Sequence, residues 1–152
     1  MKRRISLLLA VVMILGSFSF AFAADVNDKV DLVTKEGILR GDQGTGALRL
    51  DDPLARKEAV VLLSRLMKAE EEAEAFEKEG LPTFTDVQDT VYYKPFIGWA
   101  QDNDYFRGLP DGSFGFNDNL TAKQYAVVLL RALGYNDEVK SAEGWKNVEE
   151  LA

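Results

Sequence analysis

Apolar residues run through "LTAKQYAVVLLRALG", residues 120–134, in a way that predicts one helix. Thr121 stands where an N-cap is wanted and Gln124 three places on, which together read as a capping box. Leu120 and Tyr125 fall at the two positions of a hydrophobic staple, and Gly134 supplies the left-handed residue that closes a helix. A matching apolar run, "AVVLLSRL", covers residues 59–66. Each run has a shorter helix upstream. Val26, Val30 and Val33 form a stripe that stops at Gly37; Ile97 and Ala100 form another, behind Pro95 in a first turn. Between the two halves lies "KAEEEAEAFEKEG", whose Ala69, Ala73 and Phe76 continue the spacing of Leu66. This predicts that the helix carrying AVVLLSRL runs on through the glutamates with a solvated outer face. Trp145, Val148 and Leu151 make a last short stripe.

The alternation is an internal repeat. "GILRGDQGTGALRLDDPLARKEAVVLLSRL" (37–66) and "DYFRGLPDGSFGFNDNLTAKQYAVVLLRAL" (104–133) share Arg-Gly, a glycine-bearing turn, a polar loop and Ala-Val-Val-Leu-Leu. A shift of 67 residues superposes Arg40-Gly41 on Arg107-Gly108 and one AVVLL on the other; a shift of 66 instead matches Leu54 to Leu120 and Arg65 to Arg131. Both registers stay open at this stage. A unit of helix, turn, loop and helix is too small to bury its own apolar face, so neighbouring units must pack on each other.

The first 23 residues change the picture of where the chain works. Lys2, Arg3 and Arg4, the apolar run Ile5–Phe20 and the Ala21-Phe22-Ala23 site read as a secretory signal peptide. Its removal leaves 15 basic against 25 acidic residues, a net charge of −10 on 129 residues. Such a chain suits neither nucleic acid nor an anionic membrane, and no membrane contact is expected after cleavage. The absence of Cys and His from all 152 residues excludes disulfides, His- or Cys-ligated metal and the usual nucleophilic triads. The stretch 102–108, "DNDYFRG", looks like half a calcium loop, but Ser113 stands at the twelfth place, so no metal and no cofactor is expected.

"FTDV" at 84–87, "FIGWAQDNDYFRGLPDGSFGFNDNLTAKQYAVVLLRALGY" at 96–135 and the 37–66 stretch together resemble the S-layer homology (SLH) domain of bacterial surface proteins. The resemblance spans nearly all of the mature chain. It implies an all-α fold of helix-turn-helix repeats in a pseudo-threefold bundle, here incomplete: repeat one at 24–79, repeat two at 80–138, and the start of a truncated third at 139–152. It also implies a secreted, non-catalytic wall or surface-layer module. Grooves between such repeats hold a pyruvylated secondary cell-wall polysaccharide, whose carboxylate meets a motif Arg near a helix N-terminus.

Carried over residue by residue, the motif falls on Arg56, Lys57 and Glu58 in repeat one and on Thr121, Lys123 and Gln124 in repeat two. Trp99, Gly41 and Gly108 match groove positions. Two departures stand out. Repeat one keeps the Arg and Glu but has Ala55 where the capping Thr belongs, so Asp52 ahead of Pro53 is expected to cap instead. Repeat two keeps the cap and has Ala122 in place of the Arg. An incomplete bundle would expose apolar surface, which implies self-association. The alternatives are an SLH-like interaction protein that binds no wall, and, further off, a hydrolase working through carboxylates alone.

Overall fold

The computed structural model describes residues 26–136 apart from Gln43 and Pro82. The signal-peptide and third-repeat readings lie outside the described residues. The chain divides into two compact units at Arg40–Gly41. All regular structure among the described residues is helical, with a single isolated bridge between Ala55 and Asn119.

In the first unit α1, Val26–Lys35, carries the expected stripe only in part. Val30 and Val33 are half-buried, whereas Val26 is exposed and no residue of the helix is fully buried. Gly37, at φ +72°, ends it as expected, with the Ile38 amide donating back to the Val33 carbonyl.

The second unit holds α2 (Arg56–Leu66), α3 (Glu70–Glu74), α4 (Lys94–Asp102) and α5 (Ala122–Ala132). Here α2, α3 and α4 pack against one another, and α5 joins the same core through Val128. Leu63, Val60, Phe96, Trp99, Phe106 and Phe114 are all buried in one cluster. Residues 54–76 of one repeat and 84–132 of the other thus share one core within this unit.

One expectation fails at Lys68. The helix of residues 56–66 does not run on through the glutamates: Lys68 adopts φ +56°, the Ala69 amide donates to Ser64, and α3 starts afresh. The turn lays α3 across α4, burying Ala73 and half-burying Ala69 and Phe76. The apolar spacing was thus a true record of which side chains face inward, while the continuity of the helix was not. An Arg65–Glu70 ion pair of 2.8 Å spans the break.

Both repeat registers hold, each at its own level. Caps align at a shift of 66, since Ala55 and Thr121 are the N-caps and Glu58 and Gln124 the N3 residues. Burial aligns at a shift of 67: Val60, Val61, Leu63 and Ser64 match Val127, Val128, Leu130 and Arg131. Tyr125 is the extra residue between cap and apolar run in α5, and it turns the following face by about 100°.

The consequence is a buried arginine. Arg131 is 9% exposed, its Nη1 donates to the Tyr105 carbonyl at 3.3 Å, and its Nε has no hydrogen-bond partner among the described residues. Burial lowers its pKa, and the nearby Arg107 and Arg56 push the same way against Asp104. A poorly satisfied buried cation contributes little, so Arg131→Met should leave stability unchanged or raise it by about 1 kcal/mol. A loss above that figure in urea unfolding would show that the Tyr105 contact outweighs the desolvation.

In α5 the expected capping box forms, with the Gln124 amide on Thr121 Oγ1 at 3.2 Å and the Thr121 amide on Gln124 Oε1 at 2.9 Å. Gly134 closes the helix at φ +98°. Tyr125 is largely buried, which pushes its phenol up to about 12. An unfolded chain ionises this group near 10, so the Tyr125 contribution is whole below pH 10 and disappears as pH rises to 12, by about 2–3 kcal/mol. Urea melts at pH 9 and 11.5 should show the loss, and Tyr125→Phe should flatten it. Some slope will remain, because burial also raises Tyr93 and Tyr105.

Candidate functional site

The two repeats meet at the start of α2. Ala55 has no oxygen to cap with, and Asp52 does not substitute for it: the Asp52 carboxylate accepts instead from Arg49 Nε at 2.7 Å. The expected Asp52 cap is therefore absent. Repeat two supplies what is missing. The Arg56 amide donates to the Asp118 carbonyl at 2.9 Å, and the Leu120 amide donates to Leu54 at 2.8 Å. Glu58 completes half a box by accepting from the Ala55 amide at 3.2 Å.

The Arg56 side chain turns inward along this seam. Its Nε donates to the Phe114 carbonyl at 2.8 Å and its Nη2 to the Arg107 carbonyl at 2.9 Å. The guanidinium lies over the Phe114 ring at 4.9 Å and the Phe106 ring at 5.5 Å. Burial lowers its pKa, opposed by Asp118 and Asp86. From the other side, Asp86 of "FTDV" accepts from the Phe114 and Phe116 amides, both at 2.7 Å. Desolvation alone would raise the Asp86 pKa, but these amides outweigh it and hold the carboxyl below its usual range. The backbone of Phe114 is thus gripped at its N–H by Asp86 and at its C=O by Arg56. Gly115, at φ +75°, makes room: a Cβ there would stand 2.7 Å from Asp118 Oδ2 and 3.1 Å from Arg56 Cδ.

Lys57, one residue on, points to the surface of the same seam. Its Nζ donates to Asn117 Oδ1 at 2.6 Å and lies 4.7 Å from the Phe116 ring centre and 5.7 Å from that of Tyr93. Those two rings meet edge to face at 5.7 Å, and exposed Tyr92 extends the aromatic surface. Glu58 borders it and accepts from Arg49 Nη1 at 3.3 Å.

The other sequence candidates divide. Thr121 and Gln124 are engaged with each other in the cap, and Lys123 is exposed beside them. Trp99 corrects an expectation: at 2% exposure it is core, its Nε1 donating to Glu72 at 3.3 Å and its ring packed edge-on to Tyr105. Its stripe with Phe96, Ile97 and Ala100 faces inward because α2 and α3 both lie on α4. Gly41 and Gly108 are close-approach positions. A Cβ on Gly41 would stand 2.0 Å from the Gly46 carbonyl oxygen, and one on Gly108 would stand 2.4 Å from the Phe84 ring.

Sequence reasoning had not singled out Tyr93, Phe116 and Asn117. Asn117 lies in the polar loop ahead of Thr121, and its 60-residue separation from Lys57 leaves no local signal. Among the described residues no group of acidic side chains is placed to hold a metal ion, and no helix is long and apolar enough to cross a membrane.

Comparison with known proteins finds similarity to proteins of the bacterial cell surface. The chain is 28% identical over 160 residues to the middle cell wall protein of Brevibacillus brevis, a match covering 97% of this chain and 15% of the relative. It is 26% identical over 157 residues to the surface layer protein of Brevibacillus choshinensis, covering 97% of the chain and 14% of the relative. The chain is thus similar to bacterial cell-wall and surface-layer proteins. The cellulosome-anchoring protein of Acetivibrio thermocellus matches too, at 28% identity over 62% of this chain and 21% of that protein. By their names these relatives are proteins of the cell wall and surface layer, which is consistent with the S-layer homology resemblance. The chain spans about 15% of the length of the two Brevibacillus relatives. No protein-family model matches it.

Proposed function

We propose that this chain is a non-catalytic anchoring module that holds protein at the bacterial surface by binding wall polysaccharide. The observation that carries the reading is a relation to wall and surface-layer proteins running through 97% of the chain. The fold is an SLH-type bundle in which 24–79 and 80–138 are repeats and 139–152 begins another.

The ligand is an acidic, pyruvylated polysaccharide, and its site is the outer face of the seam at the start of α2. Lys57 Nζ meets the ligand carboxylate, assisted by the positive end of α2. Tyr93 and Phe116 offer apolar ring surface to the sugar, while Glu58 and Asn117 supply hydrogen-bonding groups. Arg56 is a positioning residue here: its fork is committed to two carbonyls, so it holds the seam that presents Lys57. Lys123 serves the equivalent place on α5, where Ala122 leaves the motif without its Arg.

With a mature charge of −10 there is no long-range attraction for an acidic polymer, so a few placed cations carry the binding. Lys57→Ala should therefore weaken affinity for purified pyruvylated polysaccharide about tenfold, near 1.4 kcal/mol. Lys123→Ala should cost less, and Ala122→Arg should tighten binding. Unchanged affinity of Lys57→Ala, beside a parent that binds, would remove Lys57 from the site.

A further inference from the structure

On the second unit lies a cleft of about 750 Å³ that the seam does not use, between the connection at residues 74–84 and α4. Its floor is apolar: Phe76, Phe84 and Val87 are half-buried and line it. Gly98 forms part of the α4 wall. A Cβ there would meet the Phe76 ring at 3.2 Å, so the missing side chain lets the connection lie close against the helix without filling the space.

The rim is acidic. Glu74, Glu77 and Glu79 line it, all exposed, and none forms an ion pair among the described residues. The two lysines on the rim are committed: Lys78 donates to Asp102, and Lys94 donates to Asp89 at 2.5 Å. The cleft thus offers unpaired carboxylates around an apolar floor, while each cation already has a carboxylate partner.

We propose that this cleft docks a short basic segment of a partner protein, one apolar side chain entering between Phe76 and Phe84 and flanking Lys or Arg side chains meeting Glu74, Glu77 and Glu79. Charge complementarity selects this occupant. An acidic wall polymer would face three like charges, and a neutral sugar would leave those carboxylates without partners. The size suits a few residues of extended chain, since small-ligand pockets span about 300–1,000 Å³. None of Lys57, Tyr93 and Phe116 lines the cleft.

The test uses the full mature chain and a labelled, acetylated and amidated peptide, Lys-Leu-Lys-Phe-Lys, read by fluorescence anisotropy at two salt concentrations. Saturable binding is expected. It should weaken at least tenfold in the triple variant Glu74→Gln, Glu77→Gln, Glu79→Gln, and comparably when the peptide Phe is replaced by Ser. All three substitutions are on exposed side chains, and an unchanged melt confirms the fold. Lys57→Ala should bind the peptide as the parent does, which separates this site from the wall site. The proposal is overturned if the peptide does not bind, if the triple variant binds it equally, or if the Ser peptide binds equally, which would mark attraction to net charge alone. Displacement of the peptide by purified wall polysaccharide would assign the cleft to the polymer instead.

Discussion

Arg56→Ala should lower the unfolding free energy by about 3 kcal/mol. The side chain makes two charge-assisted hydrogen bonds to carbonyls of the other repeat and covers two aromatic rings. Each such bond contributes on the order of 1.5–3 kcal/mol, and the partial exposure of Arg56 holds the total toward the lower end. The two carbonyls left behind add to the cost. Arg56→Lys should recover less than half, because a single ammonium cannot reproduce a fork aimed at two acceptors. Urea unfolding followed by circular dichroism checks both. A loss below about 1 kcal/mol for Arg56→Ala would mean that the seam is held by its backbone pairs alone.

Phe114→Ala should cost about 3–5 kcal/mol, the range for removing a large aromatic from a core. Phe114 is 1% exposed, and its ring packs on Phe84 at 5.4 Å and Phe106 at 6.0 Å. Its loss also uncovers Arg56. The double variant Arg56→Ala, Phe114→Ala should therefore be less damaging than the two single losses added, by about 1 kcal/mol. Strict additivity would show that the stacked ring and guanidinium do not cooperate.

Local signals in the sequence were read well because they depend on few neighbours. The Thr121–Gln124 box, the stops at Gly37 and Gly134, and Pro95 in the first turn of α4 each follow from groups within one helical turn. The break at Lys68 escaped because a lysine carries no sign that it will adopt φ +56°; packing of α3 on α4 imposes it. The register of the repeat was undecidable by alignment because cap and core follow different shifts, offset by Tyr125. At the site, a motif points to Arg56 but says nothing of its direction. That direction depends on Phe114 and Arg107, which lie 58 and 51 residues away. The same distance hid Asn117 and Phe116 beside Lys57, and the apparent missing cap at Ala55 was supplied from Asp118.

Cosedimentation of the purified mature chain with cell walls tests the anchoring function most directly. Two wall preparations are compared, one bearing its secondary polysaccharide and one from which that polymer has been stripped. The parent should pellet with the first and stay in solution with the second, and Lys57→Ala should pellet less while melting as the parent does. A parent that remains soluble with both preparations, or pellets equally with both, would contradict polysaccharide anchoring.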